Sequence, residues 1–228
     1  MSPTKVKICG ITNLDDAVAA AEAGADYLGF IFWDRSKRFI SNAEARKIAA
    51  AMRRRQFCPT LVGVFVDESP DHVAFVLDSC LLDLAQLSGS EPPGVIGDPD
   101  SPLYQRSYKA LRPTSLAEAQ AEAEWYVTPD TANGHPSLLL DAYHPDLPGG
   151  TGRRVDRDMA AQLAQEVPRL MLAGGLTPRN VAQAIQQVRP FAVDVASGVE
   201  ASPGRKDHAL VRDFISAARN ARGAKGGT

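Results

Sequence analysis

The chain has 228 residues, enough for one large domain or two small ones and for a sizeable core. Its 25 basic and 27 acidic residues leave a net charge of −2, which excludes the strong field expected of a nucleic-acid or anionic-membrane binder. Three widely spaced cysteines, Cys9, Cys58 and Cys80, argue against a disulfide framework or a zinc site, and no run approaches the roughly 18 apolar residues of a membrane span, so cytoplasmic residence is expected.

Apolar runs alternate with helix-like segments along the chain. Val6–Cys9 reads as a strand, and Thr12 or Asn13 caps a helix from Leu14 to Ala23. Tyr27–Phe32 is the second strand. Ser41-Asn42-Ala43-Glu44 is a capping box that opens a helix to Arg54. The basic run Arg53-Arg54-Arg55 then falls at a helix end, where the dipole favours it. Leu61–Val66 is the third strand. Ser69-Pro70 pairs an N-cap with proline at the first helical position, and that helix runs to Ser79. Leu84–Leu87 is the fourth strand. Three prolines and two glycines between Glu91 and Ser101 predict a degenerate fourth helix or a loop.

Ser107–Leu111 is the fifth strand, and Ser115-Leu116-Ala117-Glu118 caps a fifth helix. Leu138–Asp141 is the sixth strand, followed by a long loop from Ala142 to Arg154 and a helix from Asp156 to Glu166. Arg169–Ala173 is the seventh strand. Thr177-Pro178 caps a helix whose Val181, Ala184, Ile185 and Val188 share one face. Phe191–Val195 is the eighth strand, and Lys206 to Ala218 the last helix. Eight such units of about 28 residues approach the roughly 30 of a βαβ repeat. The expected fold is α/β: a single (β/α)8 barrel over 1–218 with a flexible tail at 219–228. A doubly wound open sheet is the alternative, but no G-x-G-x-x-G follows the first strand.

In a barrel the carboxyl ends of the strands form one mouth. Cys9, Arg38, Asp67, Ser88, Asp141, Gly174, Gly175, Ser197 and Gly198 are placed there. Gly174-Gly175 and Ser197-Gly198 end adjacent strands and suit a phosphate bound by backbone N–H groups, or else simply make tight turns. Cys9 is either a nucleophile or base, or a small buried hydrophobe. Asp141 ends an apolar run and is either a tuned acid or a loop-bonding carboxylate. Arg38 by itself reads as a solvated loop residue beside Arg35 and Lys37. Cys58 and Cys80 have no comparable position. His72, His135, His144 and His208 are scattered and suggest no metal cluster.

The ordered strings Lys7-Ile8-Cys9-Gly10, Ser36-Lys37-Arg38, Val62–Val66, Gln86-Leu87, Leu140-Asp141, Gly149–Gly152, Leu172–Leu176 and Asp194–Glu200 resemble the phosphoribosylanthranilate isomerase family of tryptophan biosynthesis. The resemblance implies an Amadori rearrangement of a phosphosugar substrate without cofactor or metal. It implies Cys9 as general base, Asp141 as general acid and Arg38 on the anthranilate carboxylate. Phosphate would sit at Gly174, Gly175, Ser197 and Gly198. No nucleic acid or membrane partner is implied, and the chain would be a monomer or homodimer. Two positions depart from the family pattern: Ser88 stands where His is usual, and Ala196 where Ser is usual. Three readings stay beside this one: a histidine-pathway aminoaldose isomerase, a pentose-phosphate epimerase and a non-catalytic phosphosugar-binding barrel.

Overall fold

A computed structural model describes residues 3–127, 134–141 and 157–221. The strands are β1 (Lys5–Cys9), β2 (Tyr27–Ile31), β3 (Thr60–Phe65), β4 (Leu84–Leu87), β5 (Ser107–Leu111), β6 (Leu138–Asp141), β7 (Leu170–Ala173) and β8 (Ala192–Val195). All neighbours pair in parallel, and β8 closes on β1 to make a barrel in chain order. The helices are α1 (Leu14–Glu22), α2 (Asn42–Arg53), α3 (Pro70–Ser79), α4 (Gly94–Gly97), α5 (Leu116–Tyr126), α6 (Arg157–Glu166), α7 (Val181–Val188) and α8 (His208–Asn220). The expected (β/α)8 barrel is therefore the fold.

Local sequence explains most helix starts. Asn13, Ser41, Ser69 and Ser115 each accept the N–H three residues on, satisfying a donor the helix leaves unpaired. The seventh helix differs from expectation. Its cap is Asn180, and Thr177-Pro178 lie in the preceding turn. There Asn180 Oδ1 accepts from Thr177 N at 2.8 Å, while Asn180 Nδ2 donates to Gly175 O at 3.0 Å. Val181, Ala184, Ile185 and Val188 are all buried, as their spacing requires.

Strand register sorts side chains between two cores. Tyr27, Val62, Leu84, Tyr108, Leu139, Met171 and Ala192 fill the barrel interior. Their paired neighbours on adjacent strands face the same way. Lys7 pairs with Tyr27 and Asp194, so both charged residues point inward; Cys9 pairs with Gly29. The alternate residues, such as Ile8, Leu28, Leu61 and Leu140, meet the helices in the larger outer core.

The fourth helix is a single turn, and an ion pair occupies the layer it leaves thin. Lys109 pairs with Leu87 and Leu138, both outer-core residues, and so faces the helix layer. Its ammonium meets Glu91 at 2.6 Å with both side chains 4% exposed. Glu91 also accepts the N–H groups of Asp67 and Gly89, and its carbonyl accepts Tyr126 Oη at 2.7 Å. With its charge partnered and its oxygens hydrogen-bonded, the pair meets the condition for burying ions.

Two differences appear near the C-terminus. Lys206 does not begin the last helix. A 3₁₀ turn (Ser197–Val199) and a two-stranded antiparallel ribbon, β9 (Glu200–Ser202) and β10 (Arg205–Lys206), intervene, and Asp207 caps α8. The helix then continues past Ala218 to Asn220, so the expected tail boundary at 219 is corrected. Arg219 donates to Thr4 O and Gly24 O at 2.9 Å and pairs with Asp26 at 2.7 Å, anchoring the last turn at the amino-terminal end of the barrel. The loop expected from Ala142 to Arg154, with Gly149–Gly152, lies outside the described residues, as do 222–228.

Candidate active site

The carboxyl-terminal rim brings the expected residues into a definite circular order. Asp141 ends β6, Gly174-Gly175 follow β7, Ser197-Gly198 follow β8, Cys9 ends β1, and Arg38 lies in the loop after β2. Gly174 and Gly175 both have positive φ, 100° and 60°, a backbone region costly to other residues. Gly198 is required for a different reason. A Cβ there would stand 1.9 Å from the carbonyl oxygen of Leu176, so the turns after β7 and β8 touch through it. This contact accounts for the glycine by itself and also makes the two turns one continuous backbone surface.

Cys9 is 5% exposed. Burial pushes its thiol pKa up; Lys7 and Lys206 oppose that, while Asp194 adds to it. Lys7 is fully buried and lies 3.0 Å from Asp194. Burial alone would lower the Lys7 pKa, but Asp194, Cys9 and Tyr108 outweigh it, so the ammonium is retained. The interior has a second polar group: Tyr108 Oη donates to Gln86 Oε1 at 3.1 Å, and Gln86 Nε2 donates to Ser88 Oγ at 3.2 Å. Ser88, which stands where the resemblance expects His, is thus the end of a hydrogen-bond chain with no titratable side chain of its own.

Arg38 is not a solvated loop residue. It donates through Nε and Nη2 to both oxygens of Glu200. Glu200 also accepts from Lys206 Nζ at 2.9 Å, and Lys206 reaches Ala196 O at 3.1 Å. The β9–β10 ribbon is tied to the first loop through Thr12 Oγ1, which donates to Gly204 O at 2.5 Å, and to α1 through Asp16, which accepts Lys206 N at 2.9 Å. Gly10, at φ 78°, completes the arrangement. A Cβ on it would come 2.7 Å from Arg38 Cδ, so the bare backbone lets the Arg38 stem lie across the β1 turn.

Asp141 is partly exposed and accepts a 3.4 Å bond from Arg112 Nε. Asp67 has a different task from a mouth acid. Its Oδ1 accepts Ser90 N at 2.6 Å, holding the loops after β3 and β4 together. Two residues of the Arg53–Arg55 run form ion pairs, Arg53 with Asp83 at 2.7 Å and Arg55 with Glu22 at 2.5 Å. Among the described residues no three His, Cys, Asp or Glu side chains gather as metal ligands. No helix among them is long and apolar enough to cross a membrane.

The family model for N-(5′-phosphoribosyl)anthranilate isomerase matches residues 6–217. This chain belongs to that family. It is 46% identical to the N-(5′-phosphoribosyl)anthranilate isomerase of Trichlorobacter lovleyi over 217 residues, 95% of this chain and 98% of that protein. It is 44% identical to the enzyme of the same name from Pseudomonas fluorescens, over 96% of this chain and all of that one. The crystal structure of the Thermotoga maritima isomerase superposes with a TM-score of 0.81 at 38% identity, over 95% of this chain and 99% of that one. An isomerase of this family in complex with reduced 1-(o-carboxyphenylamino)-1-deoxyribulose 5-phosphate gives 0.77 at 35% identity, over 95% and 99%.

Four charged residues at this mouth were given no role by the sequence reading: Lys7, Asp194, Glu200 and Lys206. Lys7 and Asp194 did leave a signal. Each is a charge set among apolar residues of a barrel strand, and Lys7 lies two positions before Cys9, hence on the same face. Glu200 and Lys206 left none, because their pairing depends on a ribbon the sequence reading took as turn and helix.

Proposed function

We propose that this mouth isomerises N-(5′-phosphoribosyl)anthranilate to 1-(2-carboxyphenylamino)-1-deoxyribulose 5-phosphate, the step of tryptophan biosynthesis its family performs. One observation carries the assignment of roles: the order around the rim. Asp141 on β6 and Cys9 on β1 flank the glycine turns of β7 and β8, with Arg38 beyond Cys9. A phosphate seated on Gly174, Gly175, Ser197 and Gly198 would place the sugar between a carboxyl group and a thiol. Among the described residues three cations, Lys7, Arg38 and Lys206, pair with two carboxylates, Asp194 and Glu200, which suits an anionic substrate.

The chemistry follows from these positions. Asp141 donates a proton to the furanose ring oxygen as the C1′–O bond breaks, giving the open-chain iminium. The positive nitrogen acidifies the C2′ hydrogen. The Cys9 thiolate takes that proton, and the C–H electron pair neutralises the iminium to an enolamine. Tautomerisation gives the ketose. Arg38 holds the anthranilate carboxylate through its Nη1 end, since its Nε–Nη2 edge is on Glu200. The reaction needs no cofactor. Cytoplasmic residence and a monomer or homodimer complete the reading. A relative from Thermotoga maritima, 36% identical, is described as dimeric.

The test is an isomerase assay on freshly made substrate, coupled to the next enzyme and followed by loss of anthranilate-type fluorescence. Turnover is expected. Tight binding of the reduced product analogue with no turnover would favour a non-catalytic phosphosugar-binding barrel.

A further inference from the structure

Three observations converge on the interior of the barrel directly beneath Cys9. The first is register. Lys7 and Cys9 alternate on β1 and face inward together, and Asp194 is the β8 residue paired with Lys7. The second is proximity. Lys7 Nζ lies 3.0 Å from Asp194 Oδ1, and a Cβ on Gly29 would lie 2.8 Å from Cys9 Sγ and 3.1 Å from Lys7 Nζ. Gly29 thus leaves the space in which sulfur and ammonium sit side by side. The third is the lack of a structural need for these charges. Lys7 is fully buried among Tyr27, Tyr108 and the apolar interior, where an uncharged residue of the same volume would pack at no ionic cost.

We propose that Lys7 and Asp194 are a positioning pair for Cys9, in which the Lys7 ammonium holds the thiolate and Asp194 holds the ammonium. The proposal rests on the reading of Cys9 as the base. Lys7 keeps its proton throughout the cycle. When the thiolate takes the C2′ proton, an S–H bond forms and the negative charge on sulfur is lost as the iminium is neutralised. Asp194 remains to balance Lys7, so no buried cation is stranded at that moment. The other charged or titratable groups acting on the thiol are Tyr108 on β5, Lys206 on β10 and Arg38 after β2. Lys206 and Arg38 are both already engaged by Glu200. Lys7 therefore contributes the largest opposition to the burial of the thiolate, ahead of the contrary push from Asp194.

The arrangement makes opposite-sign expectations that a packing role does not share. Lys7→Met should raise the ionisation midpoint of Cys9 by about one to two pH units. Asp194→Asn should lower it, because the thiolate then becomes the remaining anion for Lys7. The midpoints are read in the ligand-free, full-length protein labelled with ¹³Cβ-cysteine, with the other two signals assigned through Cys58→Ser and Cys80→Ser. In Lys7→Met, kcat at neutral pH should fall about 10–100-fold and recover as the pH passes the new midpoint. The double variant Lys7→Met/Asp194→Asn leaves no lone buried charge and covers a failure of the single variant to fold; its midpoint should rise by less. A Cys9 midpoint that does not move in these variants, or that moves the same way in Lys7→Met and Asp194→Asn, overturns the proposal. Cys9→Ala is assayed alongside. Loss of turnover there with an unmoved midpoint in the Lys7 variants refutes the pair alone, whereas full turnover in Cys9→Ala refutes Cys9 as the base and the pair's role with it.

Discussion

Arg38 grips Glu200 with its whole flat edge, Nε to Oε1 at 2.8 Å and Nη2 to Oε2 at 2.6 Å. The Glu200 side chain is 5% exposed and shares its Oε1 with the fully buried side chain of Lys206. The guanidinium is therefore fixed before any ligand arrives, and the fork geometry expected to face the substrate carboxylate is already used inside the protein. Pre-orienting a ligand group in this way lowers the ordering cost of binding.

Arg38→Lys should weaken binding on both accounts. A single ammonium cannot hold Glu200 and a substrate carboxylate together. Loss of one charged hydrogen bond, about 1.5–3 kcal/mol, corresponds to an increase in KM of about 10–100-fold. A substrate analogue lacking the carboxylate should show a much smaller change. Steady-state kinetics on the two substrates checks this, and an equal loss on both would assign Arg38 to the fold alone.

Glu200 gives a pH expectation. Burial pushes its carboxyl up, but the hydrogen bonds and charges of Arg38 and Lys206 outweigh that and hold its pKa below the ordinary value. A carboxylate depressed in the folded state contributes stability above its unfolded pKa, about 4.3, and that contribution is lost as pH falls through the folded value. Glu200→Gln should cost about 3 kcal/mol at pH 7, because it strands the buried Lys206 ammonium. The gap to the parent protein should narrow as the pH is taken below about 4. Denaturant melts across that range are the measurement; a gap independent of pH would mean that Glu200 acts through packing.

The legible parts of this chain were those governed by local chemistry. Asn13, Ser41, Ser69 and Ser115 announce helix starts because capping is decided within four residues. The apolar strands and their spacing give the barrel, and the prolines around Pro92-Pro93 give the single-turn α4. What escaped was set by distant pairings. Nothing near Glu91 announces Lys109, 18 residues away, and nothing near Arg38 announces Glu200, 162 residues away. The β9–β10 ribbon was read as turn and helix because its bonds come from the far end of the chain, from Thr12 in the first loop and Asp16 in α1. The rim positions themselves were legible because a strand's last residue marks the mouth in this fold.

Asp141→Asn separates chemistry from binding. The amide keeps the size and polarity of the carboxyl group but cannot donate an acid proton to the ring oxygen. kcat should fall about 10²–10⁴-fold, while the reduced product analogue binds with little change through Arg38 and the glycine turns. The contact with exposed Arg112 is worth at most about 1 kcal/mol, so its weakening by itself shifts the melting temperature by about 2–4 °C. Parent-like turnover in this variant would make Asp141 a loop carboxylate. The acid would then have to be sought elsewhere at the rim, since Asp67 is committed to Ser90.

Gly198→Ala tests whether the turns after β7 and β8 act as one phosphate surface. The added methyl would meet Leu176 O at 1.9 Å, and a backbone carbonyl cannot swing aside as a flexible side chain can. The two turns must therefore separate, which changes the spacing of the N–H groups that a phosphate would bridge. If phosphate binds there, affinity for every phosphorylated ligand falls: KM for substrate and the dissociation constant of the reduced analogue rise together by about tenfold or more. kcat falls less, because Cys9 and Asp141 stand on β1 and β6, outside the displaced turns. Inorganic phosphate, a competitor that occupies only this subsite, should lose inhibition in parallel. An Ala variant that is less stable, yet binds analogue and inorganic phosphate as the parent does, would leave Gly198 as a packing residue and place the phosphate elsewhere on the mouth.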